Sequence, residues 1–197
     1  MAIQNRKIIT QNLYNGERIL KEFKSDFPYI KSNTRYNISI NRHKDDSRYS
    51  DLIPRLRGQS QFNGLVTFEM RCGYENSNKK SEYLNKAVKQ TKIAGCQECS
   101  FLIHERCKKA GIPSQNIRME VVQSNGFDTD RNHAFTLIGF NKDADLSNPK
   151  TWGKNAVIID GWANIVTKAQ EGIEYLKQLF SVDPNKEKCI FERHRNS

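Results

Sequence analysis

The sequence has no long hydrophobic run, and this absence sets the first limit on the kind of protein it encodes. No stretch approaches the roughly 18 apolar residues of a membrane-spanning helix, and the first residues contain no apolar signal region. We find neither an internal repeat nor a shift in composition that would mark a domain boundary. With 197 residues, of which 37% are hydrophobic, the chain is expected to be soluble and to fold as a single domain over 1–197.

The sequence also lacks the cysteine pattern of a disulfide scaffold. Its five cysteines are an odd number, and their spacing matches no small disulfide-rich class. They are Cys72, Cys96, Cys99, Cys107 and Cys189. We therefore expect free thiols and a reducing compartment.

Positive charge is concentrated in the first part of the chain, and the net charge of the whole is +10. Residues 1–60 contain 12 Lys and Arg against 6 Asp and Glu, whereas residues 96–180 contain 10 of each kind. The sequence thus divides into a basic N-terminal region (about 1–80) and a core (about 81–193) that holds the candidate catalytic residues. A basic region can bind nucleic acid, an anionic membrane or an acidic protein, and its simplest interpretation is a solvated surface.

Hydrophobic periodicity predicts a mixed order of helices and strands. After a frayed start over 1–10, helices are predicted at 11–27, 82–93, 96–109 and 167–180. Strands are predicted at 36–40, 64–70, 117–121, 133–139, 156–159 and 189–191. The polar stretch 124–132 is predicted to be a loop. This order indicates an α+β fold in which the helix that begins at Cys96 packs on a mostly antiparallel sheet.

Cys96 is predicted to lie at the start of a helix, because Gly95 interrupts the preceding helical pattern and apolar residues follow from Phe101 onwards. Unpaired N–H groups and the helix dipole favour negative charge at that end, and a thiolate is such a charge. A cysteine there is weak evidence by itself, since free cysteine is among the most buried residue types.

Two later segments turn this cysteine into a set of three catalytic candidates. His133 begins an apolar run that ends at Gly139, and Asp160 follows the apolar run 157–159. A thiol nucleophile needs a base to handle its proton and a carboxylate to orient that base. We therefore expect Cys96 to be the nucleophile, His133 the base and Asp160 the orienting carboxylate.

The motifs around these residues resemble those of a known family. Gly95-Cys96-Gln97-Glu98 before an apolar helix, His133-Ala134-Phe135 on a strand, and Ile159-Asp160-Gly161-Trp162 on the next are similar to the transglutaminase-like branch of the papain-fold cysteine enzymes. Bacterial effector proteases and deamidases belong to this branch. The resemblance covers residues 94–162. The chain has Gly95 where the family often has Asn, and Cys99-Ser100 where His or Met followed by Ala is frequent.

The resemblance implies a papain-like or transglutaminase-like fold with a Cys96, His133 and Asp160 triad and no cofactor. It implies a thiol enzyme that acts on protein amide bonds through an acyl-enzyme, as a cysteine protease, a glutamine deamidase or a transglutaminase. The implied partner is a protein substrate, such as a host protein with an acidic surface, rather than nucleic acid. The implied location is the bacterial cytoplasm, or a host cell reached by secretion without a visible signal peptide.

Three further residues complete the expected site. Gln90 lies six residues before Cys96, the spacing of the oxyanion glutamine in papain-like proteases, so it joins the Cys96 backbone N–H as an oxyanion-hole candidate. Trp162 is a substrate-site candidate that is expected to pack over the triad and limit water. Trp152 is expected either to contact the substrate from its loop or to anchor that loop.

Other interpretations of the cysteines remain open at this point. Cys96, Cys99, His104 and Cys107 approach the spacing of a zinc knuckle. No metal is expected, because on one continuous helix positions 96 and 104 point about 80° apart. A thioredoxin-like role for Cys96-x2-Cys99 lacks the βαβ context. The alternative function is a basic, non-catalytic module that binds nucleic acid or an acidic protein and has only structural cysteines.

Overall fold

The computed structural model describes residues 2–28, 81–82, 84–86, 88–89 and 94–193. The helices are α1 (Ala2–Asp26), α2 (Cys96–Lys109) and α3 (Ala169–Leu179), with further helical residues within 81–89 and a 3-10 turn at Pro149–Thr151. The strands are β1 (Ser114–Gln123), β2 (Asp128–Ile138), β3 (Val157–Asp160), β4 (Ile165–Lys168) and β5 (Glu187–Arg193). Gln90 and the strands predicted at 36–40 and 64–70 lie outside the described residues. None of the helices described is long and apolar enough to cross a membrane.

The five strands form one sheet in the order β4-β3-β2-β1-β5, and every neighbouring pair is antiparallel. The α+β class predicted from the sequence is therefore confirmed, including the antiparallel sheet against which α2 packs. Strand β3 lies in the hydrophobic core, since Val157, Ile158 and Ile159 are all fully buried and so both of its faces are covered.

Helices cover both faces of the sheet. A Cβ atom on Gly16 of α1 would lie 2.7 Å from Val166 and 3.3 Å from Ile159, whereas one on Gly172 of α3 would lie 2.9 Å from Ile158. Successive strand residues point to opposite faces, so α1 and α3 lie on opposite sides of β3. Thr136 pairs with Ile159 and donates a hydrogen bond to the Ser100 carbonyl, which puts α2 on the same side as α1.

Two predictions about local structure are wrong. Residues 2–10 belong to α1 rather than to a frayed start, because Ile9 and Leu13 pack against the core and the Asn12 amide donates to the Asn155 carbonyl at 2.9 Å. The predicted loop 124–132 is a strand from Asp128 onwards, because pairing with β1 supplies hydrogen bonds that its polar sequence does not indicate. The sequence also does not predict the short strand β4.

The helix predicted at 96–109 is confirmed with both ends as expected. The predicted strands at 117–121, 156–159 and 189–191 correspond to β1, β3 and β5, and the last predicted helix corresponds to α3. These elements bring the start of α2 against the end of β3, where a Cβ atom on Gly161 would lie 3.4 Å from the Cys99 Cβ.

Candidate active site

Cys96 is the first residue of α2 and is half-buried. Gly95 caps the helix with extended backbone, its N–H donates to Glu98 Oε2 at 2.9 Å, and its carbonyl accepts from the Cys99 N–H at 3.1 Å. The first N–H groups of a helix have no acceptor within the helix, and the dipole makes this end positive. The Cys96 sulfur therefore lies where a negative charge is favoured.

His133 and Asp160 form a buried pair next to this helix start. The distance between His133 Nε2 and Asp160 Oδ2 is 2.5 Å, and each side chain is only 1% exposed. The second carboxylate oxygen accepts from the backbone N–H groups of Trp162 at 3.0 Å and Ala163 at 2.9 Å. Three hydrogen bonds thus hold the carboxylate in place, and the imidazole Nδ1 is the ring nitrogen left to exchange a proton with a neighbour.

The turn that follows Asp160 fits against two helices because its first residue is glycine. A Cβ atom on Gly161 would lie 2.7 Å from Ile103 of α2 and 2.9 Å from Phe23 of α1, both too close for a side chain. This close packing fixes the turn whose N–H groups hold the Asp160 carboxylate.

The charge state of His133 is set by opposing effects. Burial of the ring disfavours the imidazolium, but the charge and hydrogen bond of Asp160, together with a hydrogen bond and charge from Cys96, raise the pKa of His133 to about 10. The hydrogen bond between the two side chains makes the Cys96 sulfur a close neighbour of the imidazole. The structure thus brings together the three residues predicted to form the triad, while their catalytic roles stay a prediction.

Two aromatic side chains enclose the imidazole. The Trp162 ring centre lies 4.9 Å from that of His133, the Phe180 ring centre lies 5.4 Å from it, and the two aromatic rings stack on each other at 6.2 Å. Trp162 therefore packs over the triad and keeps water from the ring. Only 3% of Trp162 is exposed, which leaves little surface with which it could contact a substrate.

Trp152 does not belong to the site. It is fully buried, its indole N–H donates to the Leu146 carbonyl at 3.2 Å, and it packs edge-on against Phe135 and Phe191. The expectation that it contacts the substrate is therefore wrong, and its role as the anchor of its loop is the one that the contacts support.

The sequence does not reveal Phe180 or the residue that fixes it. Arg131 donates to the Phe180 carbonyl at 2.9 Å, forms an ion pair with Glu187 and donates to Thr129 Oγ1 at 3.2 Å. Arg131 precedes His133 by two residues on β2, but the pairing of β2 with β1 shifts register between Asp128 and Asn132, so strand alternation does not assign Arg131 to the face of His133. Nothing in the sequence pairs Phe180 with the imidazole either.

The remaining candidate zinc ligands, His104 and Cys107, both lie near Ser114. His104 Nδ1 lies 2.8 Å from the Ser114 hydroxyl, and Cys107 is fully buried near the same serine. Within the part of the chain that the structure describes, no group of three or more His, Cys, Asp or Glu side chains could hold a metal ion. Cys99 lies one helical turn after Cys96, and its side chain packs against the turn that follows Asp160.

Comparison of the chain with protein-family models, with curated proteins and with solved structures finds no match. Gln90, the predicted oxyanion glutamine, lies outside the described residues. The Cys96 N–H, at the open start of α2, is the described oxyanion donor candidate. The chemistry of the site therefore has to be inferred from its own geometry.

Proposed function

We propose that this protein is a cysteine enzyme that acts on protein amide bonds through an acyl-enzyme on Cys96. Its fold would then be a version of the papain-like or transglutaminase-like arrangement that its motifs resemble. The observation that supports this proposal above all is the buried His133–Asp160 pair beside a half-buried thiol at a helix start. The nucleophile, the base and the orienting carboxylate come from α2, β2 and β3.

The first half of the reaction forms a thioester. The Cys96 sulfur attacks the amide carbonyl carbon, and the carbonyl oxygen becomes an oxyanion that the Cys96 backbone N–H stabilises. His133 holds the thiol proton as an imidazolium and donates it to the leaving nitrogen as the carbon–nitrogen bond breaks. The products of this half are the acyl-enzyme and a neutral amine or ammonia.

The second half releases the acyl group. His133, now neutral, takes a proton from water or from a substrate amine as that nucleophile attacks the thioester carbon. The carbon–sulfur bond breaks and Cys96 leaves as a thiolate. Water gives hydrolysis of a peptide bond or deamidation of a glutamine, and an amine gives transamidation. The same three residues serve each outcome.

Asp160 stabilises the charge that His133 carries between these steps. Its carboxylate is fixed by the N–H groups of Trp162 and Ala163, so it needs no rearrangement when the imidazolium forms. Burial by Trp162 and Phe180 strengthens this attraction by excluding water.

A purely structural role explains the pair less well. Removing an imidazolium and a carboxylate from water costs several kcal/mol per ion, so a buried ion pair is weak evidence of stabilisation. Strongly perturbed groups beside a nucleophile are typical of functional sites. The basic surplus of the chain suits a protein substrate with an acidic surface, such as a host protein met by a secreted bacterial enzyme.

The test is a comparison of proteomes, which can be made before any substrate is identified. Cell lysate is incubated with the wild type, with Cys96→Ala, and with Cys107→Ala as a matched cysteine control. New peptide termini, glutamines converted to glutamate, or new isopeptide links are expected with the wild type and Cys107→Ala only. Lysates that are identical in all three arms, together with a Cys96 that reacts with iodoacetamide no faster than Cys189, would contradict the proposal.

A further inference from the structure

A second thiol lies one helical turn from the candidate nucleophile. Cys99 follows Cys96 by three residues on α2, and side chains at that spacing are neighbours with Cβ atoms about 5–6 Å apart. A disulfide needs Cβ atoms roughly 3.5–4.5 Å apart. The Cys96 N–H has no acceptor within the helix, so only the carbonyl side of this residue is tied to the next turn, and it can shift towards Cys99 more easily than a residue inside the helix.

The two thiols differ in access to solvent. Cys96 is half-buried, whereas Cys99 is 1% exposed and lies against the turn at Gly161. Burial raises the pKa of Cys99 well above its ordinary value, and the negative charges of Glu98 and Asp160 raise it further. An oxidant from solvent can therefore reach Cys96, while Cys99 is buried and stays protonated until its neighbour Cys96 is modified.

We propose that Cys96 and Cys99 are a redox pair whose reversible disulfide masks the candidate nucleophile. The Cys96 sulfur attacks the O–O bond of a peroxide, so that an S–O bond forms, hydroxide leaves and the sulfur is oxidised to a sulfenic acid. The Cys99 sulfur then attacks the Cys96 sulfur, the S–O bond breaks, and the Cys99 proton leaves with the hydroxyl as water. A dithiol reductant returns both electrons and restores two thiols.

The disulfide has a protective consequence for Cys96. A sulfenic acid without a neighbouring thiol is oxidised onward to a sulfinic acid, which thiols do not reduce. Cys99 prevents this further oxidation, because the disulfide forms before a second oxidant reacts with the sulfenic acid. The other described cysteines are poor competitors, because Cys107 is fully buried near Ser114 and Cys189 lies on β5.

The test uses one tryptic peptide of the full-length protein. Residues 93–106 follow Lys92, end at Arg106, and contain both cysteines, so a disulfide between them removes two hydrogen atoms from that single peptide. The protein is treated with hydrogen peroxide, then blocked with iodoacetamide and digested without reduction. Parallel samples receive dithiothreitol before blocking.

In the wild type, iodoacetamide labelling of Cys96 is expected to disappear with peroxide and to return fully with dithiothreitol. In Cys99→Ala, Cys96 is expected to gain two oxygen atoms, and its labelling should not return. Cys99→Ser provides a second variant of nearly equal volume in case the alanine leaves a destabilising cavity, and Cys107→Ala should behave as the wild type. A wild-type Cys96 that is overoxidised, that pairs with a cysteine outside this peptide, or that stays unoxidised would overturn the proposal.

Only the masking of activity rests on the proposed function, since the peptide mass reports the disulfide whether or not the protein is an enzyme. A disulfide in a protein without effect on any lysate would refute the enzyme and leave the redox pair standing. An active enzyme whose peptide 93–106 never loses two hydrogen atoms would refute the redox pair and leave the enzyme standing.

Discussion

The two ends of α2 carry similar side chains in opposite states. At its N-terminal end, Cys96 is next to His133, whose partner is Asp160. Towards its C-terminal end, Cys107 is near Ser114, which is hydrogen-bonded to His104. Both sets combine a thiol, a buried imidazole and an oxygen partner.

The surroundings of each imidazole decide its charge. Burial disfavours the charged form of both rings, and at His104 this effect and the positive charges of Lys108 and Arg193 outweigh the opposing charge of Glu105, so the pKa of His104 is lowered. With a carboxylate partner the outcome is reversed, and the pKa of His133 is raised to about 10. The same burial thus produces a neutral imidazole at one end of the helix and an imidazolium at the other.

The two thiols differ in their access to solvent and in their neighbours. Burial raises the pKa of Cys107 to about 12, and no part of its side chain reaches solvent. Cys96 is half-buried, starts the helix and has an imidazolium beside it. Under the proposed function, access to solvent and a carboxylate partner of the imidazole are what distinguish the catalytic set at Cys96 from the set at Cys107.

The largest effect is expected when the thiol or the imidazole of the N-terminal set is removed, with the thiol of the other set as the control. Cys96→Ala and His133→Ala are expected to lower kcat by on the order of 10⁴–10⁶-fold, because each disables the whole proton-transfer unit. Cys107→Ala should keep the activity and lose stability only, since it leaves a cavity in the core. The measurement is turnover of the modification found in the lysate. Wild-type turnover by Cys96→Ala would end the enzyme interpretation.

The second largest effect is expected from the carboxylate. Asp160→Asn keeps the shape of the side chain but removes the charge that holds the imidazolium, and in a related triad this change costs about 10⁴ in kcat. The pKa of His133, followed by NMR titration of its ring protons, should fall. Asp128→Asn, at the exposed start of β2, is the matched control and should change neither quantity much. A crippled Asp128→Asn with an active Asp160→Asn would mean that the third residue is misassigned.

The sequence predicts the residues of the N-terminal set because each follows a local signal. Gly95 interrupts the helix before Cys96, and His133 and Asp160 border apolar runs, so their positions on elements can be inferred without knowing the fold. The contacts among them require that the start of α2, the middle of β2 and the end of β3 meet, and the resembling motifs imply that these three residues come together.

The enclosure of the site could not be predicted, because periodicity assigns a residue to a face and says nothing of its partner. Phe180 belongs to the apolar face of a predicted helix, yet its contact with His133 depends on how α3 crosses the sheet. Trp152 stands in a polar loop that indicates exposure, but the loop folds back and buries the indole against Phe135 and Phe191. β4 has too few residues for a periodic signal.

The two histidines should give stability curves of opposite slope. His133 has a pKa raised from about 6.5 to about 10, so its contribution is fully present below pH 6.5 and is lost as the pH rises through 10. His104 has a lowered pKa, so it destabilises the fold below about pH 6.5 and contributes no pH dependence above that. The free energy of unfolding that is lost as His133 deprotonates is about 1.4 kcal/mol for each unit by which its pKa is raised, which amounts to a few kcal/mol.

The measurement is the free energy of unfolding by urea between pH 5 and 10, compared between wild type and each of His133→Gln and His104→Gln. Taking differences cancels the titration of the groups that contact neither imidazole, which all three proteins share. The wild-type advantage over His133→Gln should shrink at alkaline pH, and that over His104→Gln should grow between pH 5 and 7 and then level off. Parallel curves would mean that the two imidazoles have the same charge state.

The smallest effect is expected from the hydroxyl that is hydrogen-bonded to His104. Ser114→Ala removes the hydrogen bond of 2.8 Å to Nδ1 and should lower the free energy of unfolding by about 1 kcal/mol. Ser114→Thr keeps a hydroxyl and should retain most of that stability. The rate at which iodoacetamide labels Cys96 should be the same in both variants and in the wild type, because the N-terminal set contacts neither His104 nor Ser114. If Cys96 labels several times more slowly in Ser114→Ala, the two ends of α2 are coupled. The hydrogen bond between Ser114 and His104 would then support the reactivity of Cys96.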